Sequence, residues 1–570
     1  MRIRRTGAPL AIIAIAGIAL AGCTTTGPTE EDTEAGGTVT VAEVNELSSF
    51  NIGTADGNVD INNQINYFTQ GAFFYLDDSA SVVYDESFGT VELLSEDPLS
   101  VKYTINEGVT WSDGEPYDAD DMVLSWAAAS GYYDEGEEVY FTPAGSTSGL
   151  DQTAYPEIGD DGRSITLNFS GPYADWTLFQ PTGVPAHVVA ENAGLEGSLL
   201  DALTEDAAPE DVRAVADFWN TGFDTASLPG DESLYLASGP FMVDAWDPGQ
   251  SVTLVANESY TGDRSPEGID EIVVRFIADA NAQVTALQNG EVDIINPQAS
   301  GDILTQLEGL EGVNVLTGKT GSYDHIDLNH DPAGVFGDPD VREAFLKTIP
   351  REQIMDALIR PLDPEAEVLN SQIFFPGVDG YDQAVSSNGS DAYGEADIEG
   401  ATALLAGATP TVRIAYNNAN PNRVDSFLAI QASAAEAGFV IEDGGLAADV
   451  WGGALTQPET WDAFIFGWST VGAGVGGVPQ LFHSASDSNF GGFNSPEVDA
   501  LADELTRTVD PERQIEIQVE IEALLWEGGF GLPMYILPGV IANTESVENV
   551  KYNTWQTGPI WNFWEWTLAE

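Results

Sequence analysis

Apolar and polar residues alternate along Thr38-Val39-Thr40-Val41, which predicts a strand, and the polar stretch 45–51 behind it reads as a loop at that strand's end. The alternation returns over 101–105. After it, Ser112-Asp113-Gly114 makes a turn, and Asp118-Ala-Asp-Asp121 stands before the apolar run 122–126. Carboxylates belong at such a position because the free N–H groups and the dipole of a helix N-terminus favour negative charge, so Asp118, Asp120 and Asp121 read as caps rather than as a metal or acid–base cluster. Towards the C-terminus the period changes from two to about 3.6. Ser495-Pro496 opens a predicted helix with Val498, Leu501, Ala502 and Leu505 on one face, and Asp510-Pro511 opens another with Ile517, Ile521, Leu524 and Leu525. Predicted strands at 412–416 and 461–468 flank a helical stretch over 426–437, which makes this part of the chain α/β.

The first residues carry a different pattern. Arg2, Arg4 and Arg5 precede an apolar run from 8 to 20, too short to span a bilayer permanently and ordered like a secretory signal. It ends in Leu20-Ala21-Gly22-Cys23, which resembles the bacterial lipobox, so Cys23, the only cysteine, is expected to carry lipid at the mature N-terminus after removal of a signal peptide over 1–22. Thr, Glu, Gly and Pro dominate up to residue 37, and such a segment buries too little to order itself; 23–37 reads as a tether to the outer face of the cytoplasmic membrane, or to a periplasmic face if an outer membrane is present. The remaining length exceeds what one core usually serves, so several domains are expected.

Ninety-three acids against 18 bases give a formal charge of −75, which repels nucleic acid phosphates and excludes nucleic acid as a partner. The four histidines show no zinc spacing, and no GxSxG elbow is present. Gly472-Ala-Gly474-Val-Gly476-Gly477 satisfies GxGxxG, but Pro479 follows where a long helix should open, against a dinucleotide site. The stretch 312–320 misses the P-loop spacing by one residue. These readings leave no metal, no cofactor and no catalytic residue, and the chain is not expected to be an enzyme.

One long stretch decides the class. Residues 101–125, centred on Trp111-Ser-Asp-Gly-Glu-Pro-Tyr-Asp-Ala-Asp-Asp121, resemble the signature of family 5 solute-binding proteins, the peptide and nickel binders of ABC importers. Ser238-Gly239-Pro240-Phe241 with Trp246, Ala286-Leu-Gln-Asn-Gly-Glu-Val-Asp293, Val341-Arg342-Glu343-Ala344 through Ile349-Pro350-Arg351, Gly467-Trp468 and Phe493-Asn494-Ser495-Pro496 follow in the family's order. The resemblance implies a type II periplasmic-binding-protein-like α/β fold, with two lobes, a hinge and an extra inserted domain. Placed on this chain, the first lobe takes 38–70, 216–300 and 527–570, the inserted domain 71–215, and the second lobe 301–526. It implies a monomer that captures a small extracellular ligand, an oligopeptide or dipeptide, between its lobes and passes it to an ABC permease with ATPase subunits.

Two departures bear on the ligand. The loop after Gly467-Trp468 lacks the aspartate that pairs with a peptide's ammonium in many members, and Ile349-Pro350-Arg351 stands where Ile-Asp-Arg is usual, which marks Arg351 as structural. The expected ligand contacts are Asn45, Ser48, Ser49 and Phe50 from the first lobe and Tyr323, His325, Trp468 and Ser469 from the second: polar and aromatic groups beside a glycine-rich loop that leaves room for backbone approach. Two other functions fit the same features less well, a surface module for glycolipid or cell-wall components on this fold, and a secreted hydrolase using an acid pair.

Since the tether contributes no core, Cys23→Ala is expected to release a soluble, folded protein. Fractionation of washed membranes checks this; retention of the variant there contradicts lipid attachment at Cys23.

Overall fold

A computed structural model describes residues 36–569 apart from 79–80, 135, 137, 146, 148, 448–449, 470–473, 487 and 554–556. The signal segment, Cys23 and the tether up to residue 35 therefore lie outside the described residues. Among those described, no helix is long and apolar enough to cross a membrane.

Ten strands form one mixed sheet, in spatial order Val440–Leu446, Thr411–Asn417, Ala463–Ser469, Val313–Leu328, Gly531–Thr544, Ile294–Ile295, Gly37–Glu43, Ile269–Phe276, Ser251–Ala256 and Phe241–Asp247. Two of them, Val313–Leu328 and Gly531–Thr544, are far longer than the rest and pair antiparallel at the centre. Their ladder runs from Val313↔Thr544 to Lys319↔Pro538, breaks, and resumes at Tyr323↔Ile536. At the break the Thr320 hydroxyl donates to Leu537 O at 3.0 Å, so a side chain takes over where backbone pairing lapses. Gly318 and Gly539 face each other just before it, and a Cβ at either would strike the Tyr552 ring. The stretch 312–320 that nearly matches a P-loop thus forms one arm of this strand.

The local elements follow from caps and alternation. Leu99–Ile105 buries every second residue. Asp118 caps the helix Ala119–Ser130 reciprocally with Asp121, whose carboxylate also accepts the Ala186 N–H at 2.8 Å and the Trp111 indole N–H at 3.3 Å. The Trp-Ser-Asp-Gly run is therefore tied to the helix it precedes. Ser495 and Asp510 cap Pro496–Leu505 and Pro511–Gly528 as expected. The helix read over 426–437 begins earlier, at Pro421, because the Asn420 side chain accepts the Asn422 and Arg423 N–H groups and proline suits the first turn. The glycine-rich stretch leads into Gly477–Phe482, a helix of six residues.

Buried apolar residues gather into separate clusters. One, from Phe73 to Phe223, surrounds a four-stranded antiparallel sheet of Gly89–Glu96, Leu99–Ile105, Ser164–Asn168 and Glu157–Ile158. A second packs helix Asp60–Thr69 and residues 560–566 on the strands beside Gly37–Glu43. A third packs helix Pro421–Ala437 on Thr411–Asn417 and Ala463–Ser469. Helices Pro496–Leu505 and Pro511–Gly528 supply a fourth.

Arg351 sits fully buried within the third region. Its guanidinium donates to the carbonyl oxygens of Leu369, Pro533 and Tyr393 and to Asn370 Oδ1, at 2.7–3.1 Å. Burial lowers its pKa to about 10, which still leaves it charged near neutral pH. It is structural, a cation solvated by carbonyl dipoles. Arg351→Met leaves those carbonyls without a donor and is expected to lower unfolding free energy by about 3–5 kcal/mol; a denaturant midpoint equal to the wild type's would contradict this.

Candidate functional site

The short parallel strands point the way to the site. Gly37–Glu43, Ile269–Phe276 and Ile294–Ile295 run parallel in one half of the sheet, and Thr411–Asn417, Val440–Leu446 and Ala463–Ser469 in the other. Register fixes where they end. Ser469 lies opposite Ser322, and Ile295 lies opposite Ala542 on a ladder heading for Pro538, so the carboxyl ends of both sets converge on the break in the long pair. In open α/β sheets, ligands settle outside the carboxyl ends of strands. A contact links the two sets there, Asn420 Nδ2 to Gln298 Oε1 at 3.4 Å.

In the second set, Tyr323, His325 and Asp327 share one face of their strand, opposite Trp468, Phe466 and Phe464. The structure brings Tyr323, His325 and Trp468 together, but in layers. Tyr323 and His325 are 2% and 1% exposed. The Tyr323 hydroxyl donates to Gln372 O at 3.3 Å, and His325 lies 4.3 Å from the Phe466 ring and parallel to Trp468 at 6.3 Å. Its Nε2 stands 3.1 Å from Asp327 Oδ1. Trp468, stacked at 5.5 Å on Phe490, is half-buried and is the member of this group that keeps open surface. Ser469 ends the strand, and its side chain lies outside the described residues.

The opposite face explains the glycine before the tryptophan. There Asp324 accepts from Arg423 at 3.0 Å and from the Tyr535 hydroxyl at 3.2 Å, all three buried. A Cβ on Gly467 would stand 2.9 Å from Asp324 Oδ1 and 3.0 Å from Arg423 Nη2. Gly467 clears space for a buried ion pair while Trp468 turns the other way.

From the first set, Asn45 and Ser48 are exposed, Ser49 is buried and Phe50 is partly buried. The Asn62 side chain accepts the Ser48 N–H at 2.9 Å and donates to the Ser48 hydroxyl at 3.0 Å. Asn51 Nδ2 donates to Trp219 O at 2.8 Å, and Ser49 bridges Asp224, so the loop is stitched to the chain near 219–225. Phe50 packs at 5.8 Å from Tyr235 and touches two apolar clusters. Ser49 and Phe50 line a small cavity with Asn62, Asn66, Gln70 and Tyr235.

Sequence reasoning missed Glu43, at the carboxyl end of the first strand. Val39 and Val41 face inward, and the same period puts an acid on the buried face. Burial pushes its pKa up to about 8, the charge of Asp60 adds to this, and a hydrogen bond from Gln64 opposes it. Among the described residues no group of three His, Cys, Asp or Glu is placed to hold a metal ion.

The model for bacterial extracellular solute-binding proteins, family 5 (middle), matches residues 90–490. The chain belongs to that family. Similar proteins include the oligopeptide-binding protein OppA of Mycobacterium tuberculosis, 27% identical over 90% of this chain and 82% of that one. An uncharacterized lipoprotein of the same species is 25% identical over 92% of both chains. Among solved structures, the periplasmic EDTA-binding protein EppA superposes with a TM-score of 0.81 at 26% identity, covering 94% of this chain and 97% of its own. The fold is that of the type II periplasmic binding proteins, two α/β lobes with a hinge and an inserted domain.

Glu43 makes stability depend on pH in a defined direction. The folded state holds this proton up to about pH 8, whereas the unfolded chain releases it near 4.5, so the group subtracts stability as pH rises through that window. Glu43→Gln is expected to match the wild type near pH 4.5 and to exceed it at pH 8 by up to roughly 2–4 kcal/mol. Superimposable wild-type and variant curves of stability against pH would sink this assignment.

Proposed function

We propose that this family 5 protein captures an extracellular oligopeptide in the crevice where the two sets of carboxyl ends converge, and delivers it to an ABC permease without chemically altering it. The convergence of both lobes' strand ends on the break in the central strand pair carries the reading, because a bend there opens or closes the crevice. In this reading the first lobe comprises 38–70, 216–300 and 527–570, the inserted domain 71–215 and the second lobe 301–526. Trp468 and the exposed Asn45 and Ser48 meet the ligand, Ser49 and Phe50 hold the first-lobe loop, and Tyr323 and His325 back Trp468 from beneath. Ser469 contributes its loop. Lipid on Cys23 holds the monomer at the outer face of the membrane.

A peptide suits this crevice better than a polyanion. The arginines built into the central framework are committed, Arg423 to Asp324 and Arg351 to backbone carbonyls. A broad indole face beside a glycine-rich sequence tolerates varied side chains, as a peptide binder requires. The name of the mycobacterial relative agrees.

Mass spectrometry of small molecules copurifying with the protein, followed by calorimetry with the identified peptide, tests the reading. Trp468→Ala is expected to weaken binding about tenfold or more, and Ser48→Ala with Ser49→Ala to weaken it less. Copurification of a glycan or glycolipid instead, or full affinity in both folded variants, would overturn the proposal.

A further inference from the structure

Residues 173–179 form a strap with two faces. Tyr173, Trp176 and Phe179 pack against the cluster that runs from Phe73 to Phe223. Ala174, Asp175 and Leu178, interleaved with them, turn to the segment that follows Trp468. The Asp175 carboxylate accepts the Val475 N–H at 3.0 Å (Oδ1) and 3.1 Å (Oδ2), and the Gly476 N–H at 2.7 Å. Beside it the Ala174 N–H donates to Thr506 O at 2.9 Å, and Ala174 packs on the cluster that contains Val475, Val478 and Leu505.

The receiving side is shaped for this contact. A Cβ at Gly474 would stand 2.5 Å from both Asp175 Oδ1 and Leu178 Cδ1, and one at Gly476 would stand 3.0 Å from Asp175 Oδ2, so glycine lets the strap approach. Residues 467–482 carry no charged side chain, a long acid-free stretch in a chain of net charge −75. A carboxylate that lands there meets no acid from that stretch. The N–H groups it takes lie where a helix begins and have no partner within it. Asp175 is itself only partly buried, so on separation both sides return to water and the bond is reversible.

We propose that Asp175 is a positioning residue that latches the body built on the Phe73–Phe223 cluster to the loop behind Trp468, holding the closed state and so setting how long a ligand stays. This rests on the reading that the protein closes around a ligand, but the latch itself is measurable without one.

The experiment uses the full chain with Cys23→Ala and spin labels on Leu94→Cys and Val440→Cys, both exposed and each on a strand of a different body. Distance distributions of the ligand-free protein are compared with those of Asp175→Ala, Asp175→Asn and Gly474→Val, and dissociation of a pool of synthetic di- to nonapeptides is timed. Asp175→Ala and Gly474→Val are expected to move the population to longer distances, with Asp175→Asn, which keeps one acceptor, in between. Peptide dissociation from Asp175→Ala is expected to quicken about tenfold, with association changed far less. Longer distances in a protein that binds no peptide would support the latch and remove the peptide reading. Bound peptides with unchanged distances and dissociation in folded Asp175→Ala and Gly474→Val would overturn the latch and leave the peptide reading standing.

Discussion

The antiparallel pairing of Val313–Leu328 with Gly531–Thr544 is the interaction on which the rest depends. Every other strand of the large sheet is attached, directly or through a neighbour, to one arm of this pair. Because the ladder lapses between Lys319 and Tyr323, each arm carries its own set of parallel strands, and because the two sets run in opposite directions their carboxyl ends meet at the lapse. A continuous ladder would give a stiff sheet, and a complete gap would give two unconnected lobes. Paired glycines under the Tyr552 ring, with a threonine hydroxyl standing in for one ladder bond, supply a crossing that is joined but thin.

Elements whose signals are local were legible in the sequence. Asp118, Ser495 and Asp510 mark helix starts with their own side chains, and Leu99–Ile105 shows its buried face by alternation. The family signature was legible too, and it gave the fold. What could not be read is what distant chain lays over a residue. Tyr323 and His325 are expected from the sequence at the ligand, but the structure buries both; segment 371–375 lies over Tyr323, and that segment is held by Glu522, about 150 residues on. Its buried carboxylate accepts from Ser371, from the Gln372 and Ile373 N–H groups, from Asn388 and from Trp526. No periodicity near Tyr323 reports it. Glu43 is readable in principle from the alternation of its strand, but among 93 acids residue type alone does not single out a buried one.

That abundance gives the few cations structural weight. Arg351 gathers the carbonyls of three separate segments, Arg423 neutralises Asp324 beneath the central sheet, and Arg264 lies against the rings of Tyr67 and Trp564 at 4.7 Å each. Each is buried, where screening by salt is weak and a missing partner is expensive. Others, such as Arg513 between Glu504, Glu516 and Glu520, sit in the surface field of acids, where each contributes little alone. The buried arginines of this protein tie distant parts of the chain together.

The dipeptide Gly467-Trp468 divides its two faces between different tasks. Beneath the glycine lies a buried ion pair with no room for another atom, whereas the tryptophan looks out over its neighbours with part of its ring free. On the proposed reading, substitution at 468 changes what the crevice admits without disturbing the charges below, while a side chain at 467 must push Asp324 and Arg423 out of place whatever the ligand. With Trp468 at the ligand as proposed, selection can rework recognition one position away from a tightly packed one, so that this scaffold can acquire new cargo without first losing its fold.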